Sequence, residues 1–221
     1  INASEPKTVQ EKINILQNGN LLQASQLSQL HNPDARVSLD KFSDLHLLTK
    51  YSDALNGMHG ADSLRFRFNF WEITDFIIWD FFQCTNKKTE NYGGKEYVFY
   101  WPDNGKIHRD NPKAYVKGES VWGKPGIVVS MMNELPVTLY SGNKFDISCS
   151  PIVPKNMLHL IPIWCFCSSI EFNKEVRKID QALKVTNATL VKIPFDLEHW
   201  TKVAQEKYPN GLPKPYSNDP T

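Results

Sequence analysis

Apolar positions change their spacing three times along the chain. Leu39, Phe42, Leu45 and Leu48 recur at three-residue steps behind the cap-type residue Ser38, which predicts a helix ending near Asn56-Gly57. From Leu64 the spacing becomes two. Phe66, Phe68 and Phe70 alternate with Arg65, Arg67 and Asn69, the pattern of a half-buried strand with aromatics inward and arginines outward. Residues 97–101 and 106–109 flank Pro102-Asp103-Asn104-Gly105, a hairpin signal with Asn-Gly at its tip. Short strands are predicted over 127–131, 137–140 and 147–153. Helical spacing then returns: 158–168 is apolar, and Phe172, Val176, Ile179 and Leu183 follow at three- and four-residue steps, predicting a packed helical pair. A short strand over 190–194 stopped by Pro194, a helix over 196–208 and an extended tail from Pro209 complete the pattern. The fold class this implies is α+β: a twisted, mostly antiparallel sheet with a C-terminal helical pair and an N-terminal helical segment. Two regions follow, a helical connecting segment over 1–63 and a second domain over 64–221.

At 221 residues and 41% apolar content the chain is long enough for one or two hydrophobic cores. Its longest apolar run, around 161–166, is too short to span a bilayer, and Ile1-Asn2-Ala3-Ser4 begins no signal peptide, so a cytoplasmic location is expected. The chain starts without methionine and stops in polar coil, and is expected to be a piece of a longer polypeptide. No two of Cys84, Cys149, Cys165 and Cys167 have the two-residue gap of zinc ribbons. Cys165 and Cys167 flank Phe166 in an apolar run, so reduced thiols acting as small hydrophobes are expected, with no metal.

Net charge is only +1, so any nucleic-acid contact must come from a local basic face. Residues 1–63 are net acidic and offer a poor surface for it. Between Lys87 and Lys124, eight cations stand against five carboxylates, interleaved with Tyr92, Tyr97, Tyr100, Trp101, Tyr115 and Trp122. Cations for phosphates with aromatics and amides for bases are what a duplex-reading surface needs, although a solvated sheet face has the same composition. The candidate contacts are Lys87, Lys88, Tyr92, Lys95, Lys106, His108, Arg109, Lys113, Lys117, Trp122, Lys124 and Asn133. Asn86, Asn91, Asn104, Asn111, Asn133 and Asn143 fall in predicted loops, where an amide either reads adenine or forms a turn.

Catalytic templates are missing. There is no glycine-rich cofactor loop and no Asn/Asp-Pro-Pro-aromatic tetrad to grip a flipped base. Asn32-Pro33-Asp34-Ala35 and Asn111-Pro112-Lys113-Ala114 lack its second proline and its aromatic. Asp103 has no Asp/Glu-x-Lys partner of the magnesium nucleases, and no hydrolase elbow, zinc-protease pair or phosphate-binding loop occurs.

Several segments in order carry a resemblance. Trp122-Gly123-Lys124-Pro125-Gly126-Ile127-Val128-Val129-Ser130, Leu139-Tyr140-Ser141-Gly142, Ile152-Val153-Pro154-Lys155-Asn156, the stretch from Trp164 to Phe172, and Leu190-Val191-Lys192-Ile193-Pro194 together resemble the target-recognition region of bacterial type II restriction-modification adenine methyltransferases. They are similar also to the recognition domains of type I specificity subunits. The resemblance covers about Leu64 to the C-terminus. It implies sequence-specific duplex DNA recognition by a fragment without catalytic residues or cofactor of its own. The methylase domain of the same polypeptide would supply S-adenosylmethionine and the chemistry. Two other readings stand beside it: a protein-interaction module docking through Phe66, Phe68, Phe70 and Trp71, and an unrecognised nuclease using His108 or Asp110.

Overall fold

In the computed structural model, which describes residues 8–19, 23–30, 32, 35, 37 and 46–214, the chain divides into two units, Ile1–Leu45 and His46–Thr221. The first holds α1 (Val9–Asn18) and the single turn α2 (Gln26–Gln29). A capping box starts α1: the Thr8 hydroxyl accepts from the Glu11 N–H at 3.2 Å, and the Glu11 carboxylate accepts from the Thr8 N–H at 3.0 Å. No residue of α1 is buried.

The second unit contains β1 (Ser52–Ala54), α3 (Ser63–Phe66), β2 (Arg67–Asn69), β3 (Trp79–Gln83), β4 (Tyr97–Tyr100), α4 (Lys106–Arg109), β5 (Gly126–Ser130), β6 (Val137–Tyr140), β7 (Lys144–Phe145), β8 (Cys149–Pro154), α5 (Leu160–Cys167), α6 (Ile170–Ile179), α7 (Asn187–Val191) and α8 (Leu197–Lys207). The architecture is α+β with two four-stranded sheets. One is antiparallel in the order β1-β8-β5-β6, and the other is mixed in the order β2-β4-β3-β7, where β3 and β7 run parallel.

The first sheet is covered on both faces, so β5 and β8 are buried throughout, Ser130 and Ser150 included. Ile127, Val129 and Ile152 share one core with Trp164 and Phe166 of α5, Phe172 of α6 and Trp200 of α8. Val128 and Val153 face the other way and meet Phe145 of β7, which joins the two sheets. The predicted helical pair is α5 and α6, but α6 stops at Ile179 and leaves Leu183 exposed. There the Arg177 guanidinium reaches the carbonyls of Asn133 and Ala182 and folds the chain back.

Four local expectations are corrected. The helix expected from Ser38 lies outside the described residues up to Leu45. Beyond it, a 3₁₀ turn over Leu48–Lys50 leads into β1, so no helix ends near Gly57. Leu48 is fully buried with its N–H donating to the Ile193 carbonyl at 2.9 Å, and β1 pairs with β8; tertiary pairing overrides the three-residue spacing. The strand expected over 190–194 is replaced by α7, capped by the Thr186 hydroxyl on the Thr189 N–H, with only an isolated bridge from Pro194 to Leu47.

The hairpin expected at Asn104-Gly105 does not form. β4 already has β2 on one side and β3 on the other, which leaves no edge for a third strand. Asp103, Asn104 and Gly105 are all left-handed (φ 49°, 55° and 72°), one more than a two-residue hairpin turn takes, and the chain enters α4.

The fourth correction concerns Phe68, which is 39% exposed rather than core. Cross-strand pairing aligns it with Val98 and Phe81 on the outer face, while the inner face carries Phe82 and Phe99, whose ring centroids stack at 4.8 Å. Arg67, on the inner side, lies over the Tyr97 ring at 4.6 Å. The aromatic-in, arginine-out reading is therefore inverted along β2. Both faces of this sheet bear aromatics, and alternation alone does not say which one the core takes.

All four cysteines are buried and unbridged. Burial pushes the Cys84 thiol up to about 12 and raises Cys149, Cys165 and Cys167 as well, so they stay protonated and act as small hydrophobes. No helix among the described residues is long and apolar enough to cross a membrane.

Candidate nucleic-acid interface

The cation-rich segment is pinned to the first sheet. From Asn86 to Gly93 it runs along the open side of the edge strand β6 and satisfies that edge. The Val137 N–H donates to Thr89 Oγ1 at 3.3 Å, the Glu90 N–H to the Val137 carbonyl at 3.1 Å, the Leu139 N–H to the Asn91 carbonyl at 2.9 Å, and the Gly93 N–H to Thr138 Oγ1 at 2.8 Å. Asn86 anchors the start, buried and bonded to Ser130 and to the Val137 carbonyl, so its amide serves the loop and not a ligand. Lys87 and Lys88 are exposed at this anchored end; Lys88 lies 3.6 Å from Glu90, whereas Lys87 has no ion pair among the described residues. Further along, the Tyr92 hydroxyl donates to the Pro213 carbonyl at 2.8 Å. Lys95 lies over the Tyr92 ring at 4.9 Å and donates to Ser141 Oγ. Burial pulls the Lys95 ammonium down and pushes the Tyr92 phenol up from their ordinary values.

A second group lies on α4 and the loop into β5. Arg109 forks the Glu119 carboxylate at 2.9 and 2.7 Å, and its Nε donates to the Asn104 carbonyl at 3.0 Å. That charge-assisted pair holds Glu119 below and Arg109 above their usual values. Lys106 pairs with Asp110 one turn on. Lys117 covers the Tyr115 ring at 4.8 Å, and Lys113, Lys117 and Lys124 are exposed. Trp122-Gly123-Lys124 turns against the end of β6: the Gly123 N–H donates to the Gly142 carbonyl at 2.8 Å, and a Cβ on Gly142, at φ 91°, would lie 2.6 Å from the Gly123 backbone. Only glycine at 142 lets the two loops close together.

His108 is not a surface contact, and that expectation is corrected. It is 1% exposed, 4.8 Å from Phe66, 4.6 Å from Phe99 and stacked on Trp101 at 5.5 Å, with Nε2 at 2.7 Å from the Tyr100 carbonyl. α4 presents His108 inward and leaves Lys106, Ile107 and Arg109 exposed. Burial holds its pKa below the ordinary 6.5, against a smaller opposing effect of the Tyr100 hydrogen bond. The folded state therefore keeps the neutral ring. Its contribution to stability is complete above the unfolded value and is lost as pH falls through the lower folded one. Urea midpoints measured from neutrality down to about pH 5 should fall more steeply for the wild type than for His108→Phe. Parallel curves would assign the proton uptake to other groups.

Asn133 sits at the β5–β6 turn with φ 53°, its carbonyl accepting from Arg177 at 2.6 Å. It shares that end of β5 with the anchored end of the 86–93 segment, whereas Lys95, Trp122 and Lys124 cluster at the opposite end, beside 140–143. The predicted contacts thus do not gather at one place: Lys87, Lys88 and Asn133 lie about one strand length, roughly 15 Å, from Lys95, Trp122 and Lys124, the cations of 106–117 lie on α4 and the loop after it, and His108 is interior.

Lys144 escaped the sequence reading. Its ammonium lies 4.8 Å from the Trp101 ring centre and 4.5 Å from that of Trp122, and pairs with Asp80. The only hint was a lysine just past Ser141-Gly142, since the indoles that hold it come from elsewhere in the chain. The Trp122 indole N–H is buried without an acceptor among the described residues. Among those residues no three His, Cys, Asp or Glu side chains are arranged to hold a metal ion. Comparison with known protein families and with curated proteins finds no match for the chain.

Proposed function

We propose that this chain recognises duplex DNA as the specificity region of a bacterial restriction-modification adenine-N6 methyltransferase. It would act in the cytoplasm beside the methylase domain of the same polypeptide, which binds S-adenosylmethionine and transfers the methyl group. The chain itself supplies binding and no chemistry. One observation carries the reading: Lys87, Lys113, Lys117 and Lys124 are exposed and have no carboxylate within ion-pair distance among the described residues, in a protein with almost as many acids as bases. Unpaired cations on loops anchored to a packed sheet suit phosphate contacts.

The test is the anisotropy of a fluorescein-labelled duplex titrated over a salt series. Non-specific binding is expected with Kd roughly 10⁻⁴ to 10⁻⁶ M near physiological salt, weakening steeply as salt rises. Affinity that is flat in salt, or no binding even at low salt, would sink the reading.

A further inference from the structure

Within the second unit, no element among the described residues is layered over the outer face of the second sheet. The register sets Phe68, Val98 and Phe81 side by side there, and alternation adds Phe70, Trp79 and Tyr100. Val98 is 0% exposed, so the floor is dry, but the groups above it are not: Trp71 is 62% exposed and Ile77 89%. The rings brace one another, Phe68 edge-on to Trp79 at 5.2 Å and Phe76 stacked on Phe81 at 5.7 Å. The loop that extends the face is held in shape, because the Glu72 carboxylate accepts from the Asn69 N–H at 2.8 Å and Asp75 from the Ile77 N–H at 2.8 Å. A cleft of about 350 Å³ opens in the face beside Phe70 and Phe81, with Lys95, Ser141 and Asn143 at its polar end. Antiparallel strands with one buried face, as β2, β4 and β3 are, ordinarily turn polar residues outward, and contiguous apolar surface of this kind marks an interaction site.

Charge selects the occupant. Glu72 and Asp75 flank the exposed rings, and Glu96, exposed, falls on the Val98 side of β4. The cation of the cleft, Lys95, is turned onto Tyr92 and Ser141, and Arg65 lies over Phe66 on the turn before β2. Three carboxylates around the rings repel phosphate, which disfavours a single-strand stacking platform and an anionic bilayer alike. A second copy would bring the same carboxylates face to face. We infer that this face docks a polypeptide element, a helix or strand with an apolar ridge flanked by Lys or Arg, one apolar side chain of which fills the cleft. None of the four unpaired lysines takes part, so the inference does not rest on the DNA reading.

The experiment uses the full chain and two synthetic amphipathic helical peptides with the same Leu/Trp ridge, one flanked by Lys/Arg and its twin by Asp/Glu. The cationic peptide should bind and the acidic twin should not. Trp71→Ser/Phe76→Ser/Ile77→Ser should weaken the cationic peptide at least about tenfold. Glu72→Gln/Asp75→Asn/Glu96→Gln, which keeps the loop hydrogen bonds, should weaken it too and flatten its salt dependence, and this variant decides the matter if the serine triple fails to fold. Equal binding of both peptides, or wild-type binding by the variants, overturns the inference. So does binding of a thymidine homo-oligonucleotide or phosphatidylserine vesicles, or self-association on sedimentation, that the serine triple abolishes, since each assigns the face to another occupant. Loss of duplex binding with peptide binding intact would strike at the DNA reading alone.

Discussion

Changing Lys87, Lys113, Lys117 and Lys124 together to glutamate is expected to remove duplex binding and leave the protein folded. The four side chains are exposed and bridge to no carboxylate among the described residues, so each substitution should alter stability by within about 0.5 kcal/mol. Phosphate contacts behave differently: each one lost lowers the logarithmic salt slope by about 0.9, so four would lower it by about 3.6, and the reversed charge adds repulsion. Arg109 and Lys95 are poor choices for the same experiment. Reversing Arg109 breaks its fork on Glu119 and its bond to the Asn104 carbonyl, while Lys95 is half-buried against Tyr92 and Ser141, so loss of binding there would be confounded with a disturbed loop. Anisotropy and thermal melting on one preparation separate the two properties. A folded quadruple variant that binds as tightly as the wild type would exclude these lysines as the reading surface.

What the sequence told about this fold depends on how many faces of each element are apolar. β5, β6 and β8 and the helices α5, α6 and α8 come through as largely apolar runs or firm three-to-four spacing, because each has its burial written into its own residues. β2 fails where both faces of a sheet are aromatic: Phe68 and Phe99 look alike as residues and differ only in which strands flank them. The Asn104-Gly105 signal fails for a related reason, since a turn motif cannot report that both sides of β4 are occupied. Among the candidate contacts, composition located the cations but not their partners. Lys106 and Arg109 are tied to Asp110 and Glu119, Lys113 and Lys124 are not, and His108 is the interior residue of α4. Lys144 is held by two indoles from separate loops, which its position just past Ser141-Gly142 does not report.

Phe99→Ala should cost about 3–5 kcal/mol, whereas Phe68→Ala, one strand away, should cost about 1 kcal/mol. The Phe99 ring is enclosed by Phe82 at 4.8 Å, His108 at 4.6 Å, and Phe66 and Trp101 at 6.5 Å each. It also presses on Gly60, where an added Cβ would come within 2.7 Å of Cζ, so neighbours on every side are rigid rings or backbone and collapse poorly into the space left behind. Phe68 keeps one side in solvent, with Trp79 edge-on to its ring, so truncation there removes less buried area than at Phe99. Water entering the space left at Phe99, beside His108, would relieve the burial that lowers the histidine's pKa. Phe99→Ala should therefore also show a shallower acid-side decline in stability than the wild type, while Phe68→Ala keeps the wild-type slope. Urea unfolding of both variants at neutral pH and at about pH 5 reads the two effects together. A larger cost for Phe68→Ala than for Phe99→Ala would mean that the inner and outer faces of this sheet have been assigned the wrong way round.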